Sequence, residues 1–156
     1  MKKSMLSMLT EEQYEALLSD AAVEEYAAKA LIFEEGGPGD SLYYIVSGEV
    51  SVRVKDDNGR QRRLTRLEAG DFFGELSLLD GRPRSATVVA REHTQLRVIA
   101  RDKFWRHAAE NPIVAALVMQ GLAQRLREAN RHLARLYVHL RETSQKADGV
   151  AQSFVV

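Results

Sequence analysis

A glutamate and an arginine nine positions apart, Glu75 and Arg84, are the residues of this chain best suited to holding a small charged ligand. Glu75 follows Gly74 and opens the run Leu76-Ser77-Leu78-Leu79, a helix start whose free backbone N–H groups favour an anion. Arg84 is preceded by Pro83, which sets the backbone approach, and followed by the hydroxyl of Ser85 and then Ala86. A permanently charged guanidinium, several amides and a hydroxyl suit a singly charged phosphodiester. An ionised Glu75 only accepts hydrogen bonds, so it needs a donor, and a sugar hydroxyl is the natural one. An acid for a hydroxyl beside an arginine for a phosphate describes a nucleotide with a free 2′-hydroxyl. The same two residues also suit an ordinary ion pair, and by themselves they leave both readings open.

The elements that must position these residues fall into three regions. Residues 1–29 read as an N-terminal helical segment, in which Thr10 and Gln13 form a capping box ahead of Tyr14, Leu17 and Leu18. From 30 to 100 the texture is that of strands. Val50, Val52 and Val54 alternate with Ser51, Arg53 and Lys55, and further short runs lie at Leu42–Val46, Arg62–Leu67, Ala86–Ala90 and Leu96–Ala100. Turn residues separate them, Asn58-Gly59 being the clearest hairpin signal because both residues tolerate positive φ. Strands this short and this evenly spaced argue for a closed sandwich or β-roll. Residues 101–140 read as helices: Asp102 caps a short one, and Asn111-Pro112 caps and starts a long one. In the long helix Ala115, Met119, Leu122, Leu126, Ala129, Leu133, Leu136 and Leu140 recur at alternating spacings of four and three, the seam of a coiled coil. Past Leu126 the seam is narrow and flanked by arginines, which suits a partner helix better than a sheet. Residues 141–156 read as a mobile tail.

The run Phe73-Gly74-Glu75-Leu76-Ser77-Leu78-Leu79-Asp80-Gly81-Arg82-Pro83-Arg84-Ser85-Ala86-Thr87-Val88 closely resembles the phosphate-binding cassette of the cyclic-nucleotide-binding domain family. That family includes the catabolite activator protein, protein kinase A regulatory subunits and nucleotide-gated channels. Gly39-Asp40-Ser41-Leu42-Tyr43-Tyr44-Ile45-Val46-Ser47-Gly48-Glu49-Val50 is similar to its second and third strands, and the likeness extends over roughly residues 10–140. The resemblance implies a mainly β fold with flanking helices: an eight-stranded antiparallel β-roll, jelly-roll-like, with a short N-terminal and a long C-terminal helix and a cassette at 72–88.

It further implies that Glu75 accepts the ribose 2′-hydroxyl and that Arg84 pairs with the cyclic phosphate. Backbone amides of Leu76, Ser77 and Ser85 would complete the anion site, with Gly74 making the close turn and Ala86 in the contact set. Ser85 occupies a position where the family carries Ala, Ser or Thr. Thr there is associated with cGMP acceptance, so cAMP is the expected ligand ahead of cGMP. Arg125 aligns with an arginine that reaches the base in some channel domains. Ala129 and Asn130 align with the hydroxyl pair that the catabolite activator protein sets on adenine across its dimer. Ala129 cannot donate and Asn130 can, so the base lid departs from that pattern. Ala30 departs too, standing where a glycine is usual.

Composition and charge narrow the alternatives. The chain has 156 residues, 45% of them apolar, and its 22 basic and 22 acidic residues cancel, which leaves no net charge for coating nucleic acid. There is no cysteine, so disulfides and thiolate metal sites are excluded. No apolar run has the length of a signal peptide or membrane span, and the expected compartment is the cytoplasm. The histidines His93, His107, His132 and His139 form no ligand cluster, and no nucleophile–base motif occurs. Arg60, Arg62, Arg63 and Arg66 read as a solvated strand face. After Leu140 only 16 residues remain, fewer than the roughly 20 that a helix-turn-helix alone requires, so no direct DNA binding is expected. The expectation is a non-enzymatic cyclic-nucleotide receptor with no cofactor. It would form a homodimer through its C-terminal helix and signal to an unknown effector protein. The alternatives are a structural dimerisation module with a non-functional pocket and the sensor piece of a longer transcription regulator.

Overall fold

The computed structural model of the chain describes residues 9–148. They form two compact units, one reaching Val118 and the other beginning at Met119. In the first unit, helix α1 (Glu11–Ser19) precedes eight strands: β1 (Ala22–Tyr26), β2 (Leu31–Phe33), β3 (Leu42–Ser47), β4 (Glu49–Lys55), β5 (Gln61–Glu68), β6 (Phe72–Phe73), β7 (Thr87–Ala90) and β8 (Thr94–Ile99). Helix α2 (Glu75–Asp80) interrupts them after β6, and α3 (Arg101–Glu110) follows β8. Helix α4 (Pro112–Asp148) begins in the first unit and supplies the second.

The strands pair into two antiparallel four-stranded sheets, ordered β1-β8-β3-β6 and β2-β7-β4-β5. Between them lies the core of Ile45, Val50, Leu67, Phe73, Val88, Leu96 and Val98, against which Tyr26, Ile32, Phe33, Tyr43 and Val52 pack. This is the eight-stranded roll with flanking helices that the resemblance implied. The β4 alternation is kept only in part: Val50 faces inward and pairs with Leu67 and Ala90, but Ser51 beside it is buried as well, Val52 and Val54 are half-buried, and the register against β5 shifts between Val52 and Arg53.

Four local readings need correction. Residues 22–26, read with the N-terminal helical segment, form β1, which pairs with β8 from Ala22↔Val98 to Tyr26↔Thr94. Alanine and glutamate favour helix locally, and the open edge of β8 overrides that preference. Residues 141–148, read as the start of a mobile tail, continue α4, whose helix passes through Gly121 without a break, while 149–156 lie outside the described residues. Asp102 does not cap α3; Ala100 holds the extended cap position and Asp102 lies in the first turn. In the Asn58-Gly59 turn only Gly59 has positive φ, at 75°, because the Asp56 carboxylate closes the loop by accepting from the amides of Asn58 and Arg60.

The helix ends follow the predicted chemistry elsewhere. Thr10 and Gln13 make the reciprocal capping box, and Asn111 Oδ1 accepts the Ile113 amide at 3.2 Å. Val114, Leu117 and Val118 are buried, whereas Met119, Leu126, Leu133, Leu136 and Leu140 stand exposed on α4. Tyr137 and Val138 are exposed as well, so the apolar face broadens toward the helix end instead of staying a narrow seam.

Asp20, at the C-terminal end of α1, ties that helix to α3. Its carboxylate lies 2.6 Å from His107 Nε2 and accepts from Arg106 Nη2 at 2.8 Å, while Lys103 Nζ donates to its carbonyl. Hydrogen bonds from His107 and Arg106 hold the Asp20 carboxyl below the usual carboxylate range. A carboxyl depressed on folding stabilises above its unfolded value, near 4, and loses that contribution as pH falls through the folded value. Asp20→Asn is therefore expected to lower the urea midpoint at pH 7, with the gap to wild type closing below about pH 4.

Candidate functional site

The cassette begins where β6 ends. Gly74 turns the chain with φ of 83°, and a six-residue helix, α2, follows immediately. Glycine is required here twice over. The left-handed backbone disfavours any Cβ, and a Cβ would lie 2.8 Å from Arg84 Nη1 and 2.9 Å from the Ser41 carbonyl. Leu78 roots α2 in the interior, and Gly81, at φ 70°, ends it with its N–H on the Ser77 carbonyl. Glu75 and Ser77 are buried, while Leu76 is exposed on the outer side.

Past Gly81 the chain crosses back as Arg84, held at its backbone by the loop between β2 and β3. The Arg84 amide donates to the Gly37 carbonyl at 2.9 Å, and its carbonyl accepts from the Gly36 amide at 2.8 Å. Three residues on, Thr87 Oγ1 accepts the Glu35 amide. Ser85 is exposed and Ala86 half-buried between these anchors.

The Arg84 side chain is buried, with 4% of its surface exposed. Nη1 donates to the carbonyls of Gly74 (3.0 Å) and Ser41 (3.2 Å), and Nη2 donates to Ser41 (3.2 Å). The guanidinium carbon stands 4.3 Å from the centre of the Phe33 ring. Nε is buried without a hydrogen-bond partner, and no carboxylate forms an ion pair with Arg84 among the described residues. Burial pushes the guanidinium below its ordinary value, opposed by the Tyr43 phenol and the Asp40 and Glu75 carboxylates. A guanidinium starts so far above neutrality that it stays charged. Burying such a cation costs several kcal/mol, and neutral carbonyls offset only part of it. Chemically, the arrangement is a fixed cation that still has a donor to give.

The structure thus joins Gly74 directly to Arg84 and sets Glu75, Leu76 and Ser77 beside them on α2, with Ser85 and Ala86 following Arg84. Arg125 and Asn130 belong to the second unit, on α4, where Arg125 is half-buried and Asn130 exposed. Sequence reasoning missed Phe33, Gly39 and the Ser41 carbonyl. The run Gly36-Gly37-Pro38-Gly39 was legible only as a turn, although so many glycines together signal a close backbone approach. No group of three or more His, Asp or Glu able to hold a metal occurs among the described residues. No helix among them is long and apolar enough to cross a membrane.

A left-handed glycine, one turn and a half of helix and a buried arginine are thus carried on a two-sheet β-roll. The family model of the cyclic nucleotide-binding domain matches residues 23–111, more than half of the chain, and the chain belongs to that family. The cAMP-activated global transcriptional regulator CRP of Pasteurella multocida is 34% identical over 123 residues, covering 78% of this chain and 59% of that protein. The crystal structure of the Thermus thermophilus catabolite activator protein is similar with a TM-score of 0.79 and 35% identity, over 86% of this chain and 63% of the other. The regulatory subunit of a cAMP-independent protein kinase A from Trypanosoma brucei aligns with a TM-score of 0.67 and 27% identity, over 76% and 43%. The chain spans about three-fifths of the length of the curated relative it matches. These relatives are regulators and not enzymes.

The two left-handed glycines of the cassette differ in surroundings. At Gly81 an added Cβ meets only the flexible end of Arg101, at 3.1 Å. Gly81→Ala should therefore cost only the backbone strain, about 1–2 kcal/mol. Gly74→Ala, crowded by Arg84 and a carbonyl, should cost clearly more, as measured by urea unfolding of the two variants.

Proposed function

We propose that the chain is a cyclic-nucleotide receptor module, with cAMP preferred over cGMP, whose ligand state is passed to α4 and from there to a second copy or an effector protein. The observation that carries this reading is the buried Arg84 guanidinium, satisfied by three carbonyl contacts and lacking any carboxylate. Its Nε, buried without a hydrogen-bond partner, shares one edge with Nη2, and such an edge matches two oxygens of a phosphodiester. Glu75 takes the ribose 2′-hydroxyl in this reading, and the amides of Leu76, Ser77 and Ser85 take the remaining phosphate lone pairs. Gly74 and Ala86 allow the close approach. Arg125 and Asn130 are assigned to the base.

Support for cAMP comes from Ser85 and from the P. multocida relative, described as cAMP-activated. The T. brucei relative is described as cAMP-independent, so the identity of the nucleotide is a matter for direct titration. Ligand moves α4 only by its differential affinity for two arrangements of the chain. The exposed leucines of α4, joined by Tyr137 and Val138, supply the face on which two copies would meet.

Calorimetric titration tests the site. Wild type is expected to bind cAMP more tightly than cGMP, and Arg84→Ala to lose about 2–5 kcal/mol, the range for truncating one partner of a buried charged pair. Equal affinity in the variant and the wild type would overturn the phosphate assignment. For assembly, sedimentation of wild type should give a dimer and Leu133→Glu a monomer; an unchanged mass would remove α4 as the interface.

A further inference from the structure

The geometry assigns Gly39 and Phe33 as positioning residues of the Arg84 guanidinium: Gly39 keeps its Nε–Nη2 edge clear, and Phe33 carries its face. The inference rests on Arg84 being the phosphate-pairing residue. A planar cation is fixed only when its end, its face and its edge are each defined. The end is set by the Ser41 and Gly74 carbonyls, which take three N–H groups.

The face is set by Phe33, whose ring centre lies 4.3 Å from the guanidinium carbon. Phe33 is itself held. Its ring packs at 5.5 Å on Tyr43 and 5.7 Å on Phe73, and those two stack on each other at 4.9 Å. The register of β2 against β7 shifts between Leu31 and Phe33. Leu31 is exposed while the adjacent Ile32 and Phe33 both pack against the core. An irregularity of this kind re-aims a side chain, and here it turns Phe33 inward to meet Arg84.

The edge is set by the absence of a side chain. A Cβ on Gly39 would lie 1.9 Å from Nε, 2.4 Å from Cζ and 2.6 Å from Nη2 of Arg84. Gly39 is not among the residues with positive φ, so its backbone does not demand glycine. What demands it is the guanidinium. Any larger residue crowds the edge formed by Nε, which has no partner, and Nη2, or drives the side chain from its carbonyls. Lysine at 84 would satisfy none of this, having neither a flat face nor two parallel donors.

The test needs two readouts. Urea unfolding of Gly39→Ala, Arg84→Ala and the double variant reads the contact without any nucleotide. Gly39→Ala should shift the midpoint down in the wild-type background and leave it nearly unchanged in the Arg84→Ala background. If Gly39→Ala fails to fold alone but the double variant folds, the contact is confirmed. Equal loss in both backgrounds, or failure of both to fold, overturns the role of Gly39. Calorimetry with cAMP then reads positioning. Gly39→Ala should weaken binding at least tenfold and Phe33→Leu about tenfold, whereas Phe33→Tyr, which keeps the ring face, should stay within about threefold. Phe33→Leu binding as wild type, or Phe33→Tyr falling as far as Phe33→Leu, overturns the role of Phe33. Unchanged cAMP binding in Arg84→Ala would instead reject the phosphate assignment, and the unfolding cycle would still report on the contact.

Discussion

The burial of Arg84 without a carboxylate is the constraint around which the first unit is arranged. A guanidinium taken out of water must find acceptors, and here they are backbone carbonyls from two separated loops, at Ser41 and at Gly74. That solution requires backbone to approach the cation closely, and close approach requires glycine. Gly74 and Gly39 both stand where a Cβ would collide with the guanidinium. The glycines, the interrupted sheet after β6 and the turn of α2 are therefore consequences of one buried charge. A carboxylate in place of the carbonyls would have neutralised Arg84 and made it structural. Carbonyls leave its positive charge in place and one of its edges unused.

The roll supplies the rigidity that this arrangement needs. β2 and β7 meet in one sheet, while β3 and β6 meet in the other. Arg84 stands just before β7, Phe33 ends β2, Ser41 precedes β3 and Gly74 follows β6. Both sheets thus contribute to the cation's surroundings, and the shared core from Ile45 to Val98 keeps them in register. The aromatic cluster of Phe33, Tyr43 and Phe73 joins the two sheets directly beneath the guanidinium. The same roll defines the cyclic nucleotide-binding domain family to which the chain belongs. Asp20, with His107 and Arg106, fastens α1 to α3 on the same unit, so the helices that precede and follow the roll in the chain are tied directly to each other.

What could be read in advance followed the range of each interaction. The capping box at Thr10 and Gln13 and the start of α4 at Pro112 depend on residues a few positions apart, and both appear as expected, whereas the β4 alternation is kept only in part, because the roll buries Ser51 along with Val50. The cassette run from Phe73 to Val88 was legible because, as one continuous stretch, it resembles the phosphate-binding cassette of a known family; its local chemistry alone left an ion pair open. β1 was not legible, because Ala22-Val23-Glu24-Glu25-Tyr26 has the composition of a helix and becomes a strand only against β8, some seventy residues away. Asp102 was misjudged as a cap for a smaller reason, since the helix begins two residues earlier, where Ala100 is already extended.

By itself, then, the sequence determined, through its resemblance to a known family, the class of the domain, and it marked Glu75 and Arg84 as the residues worth attention. It left those two as either an ion pair or a ligand site. Tertiary structure decided what surrounds Arg84, by bringing Phe33 from the end of β2, and Gly39 and the Ser41 carbonyl from the loop after it, more than forty residues earlier. The physical reason is that local sequence carries propensity and periodicity. The desolvation of a charge and the identity of its acceptors arise only when distant segments close around it.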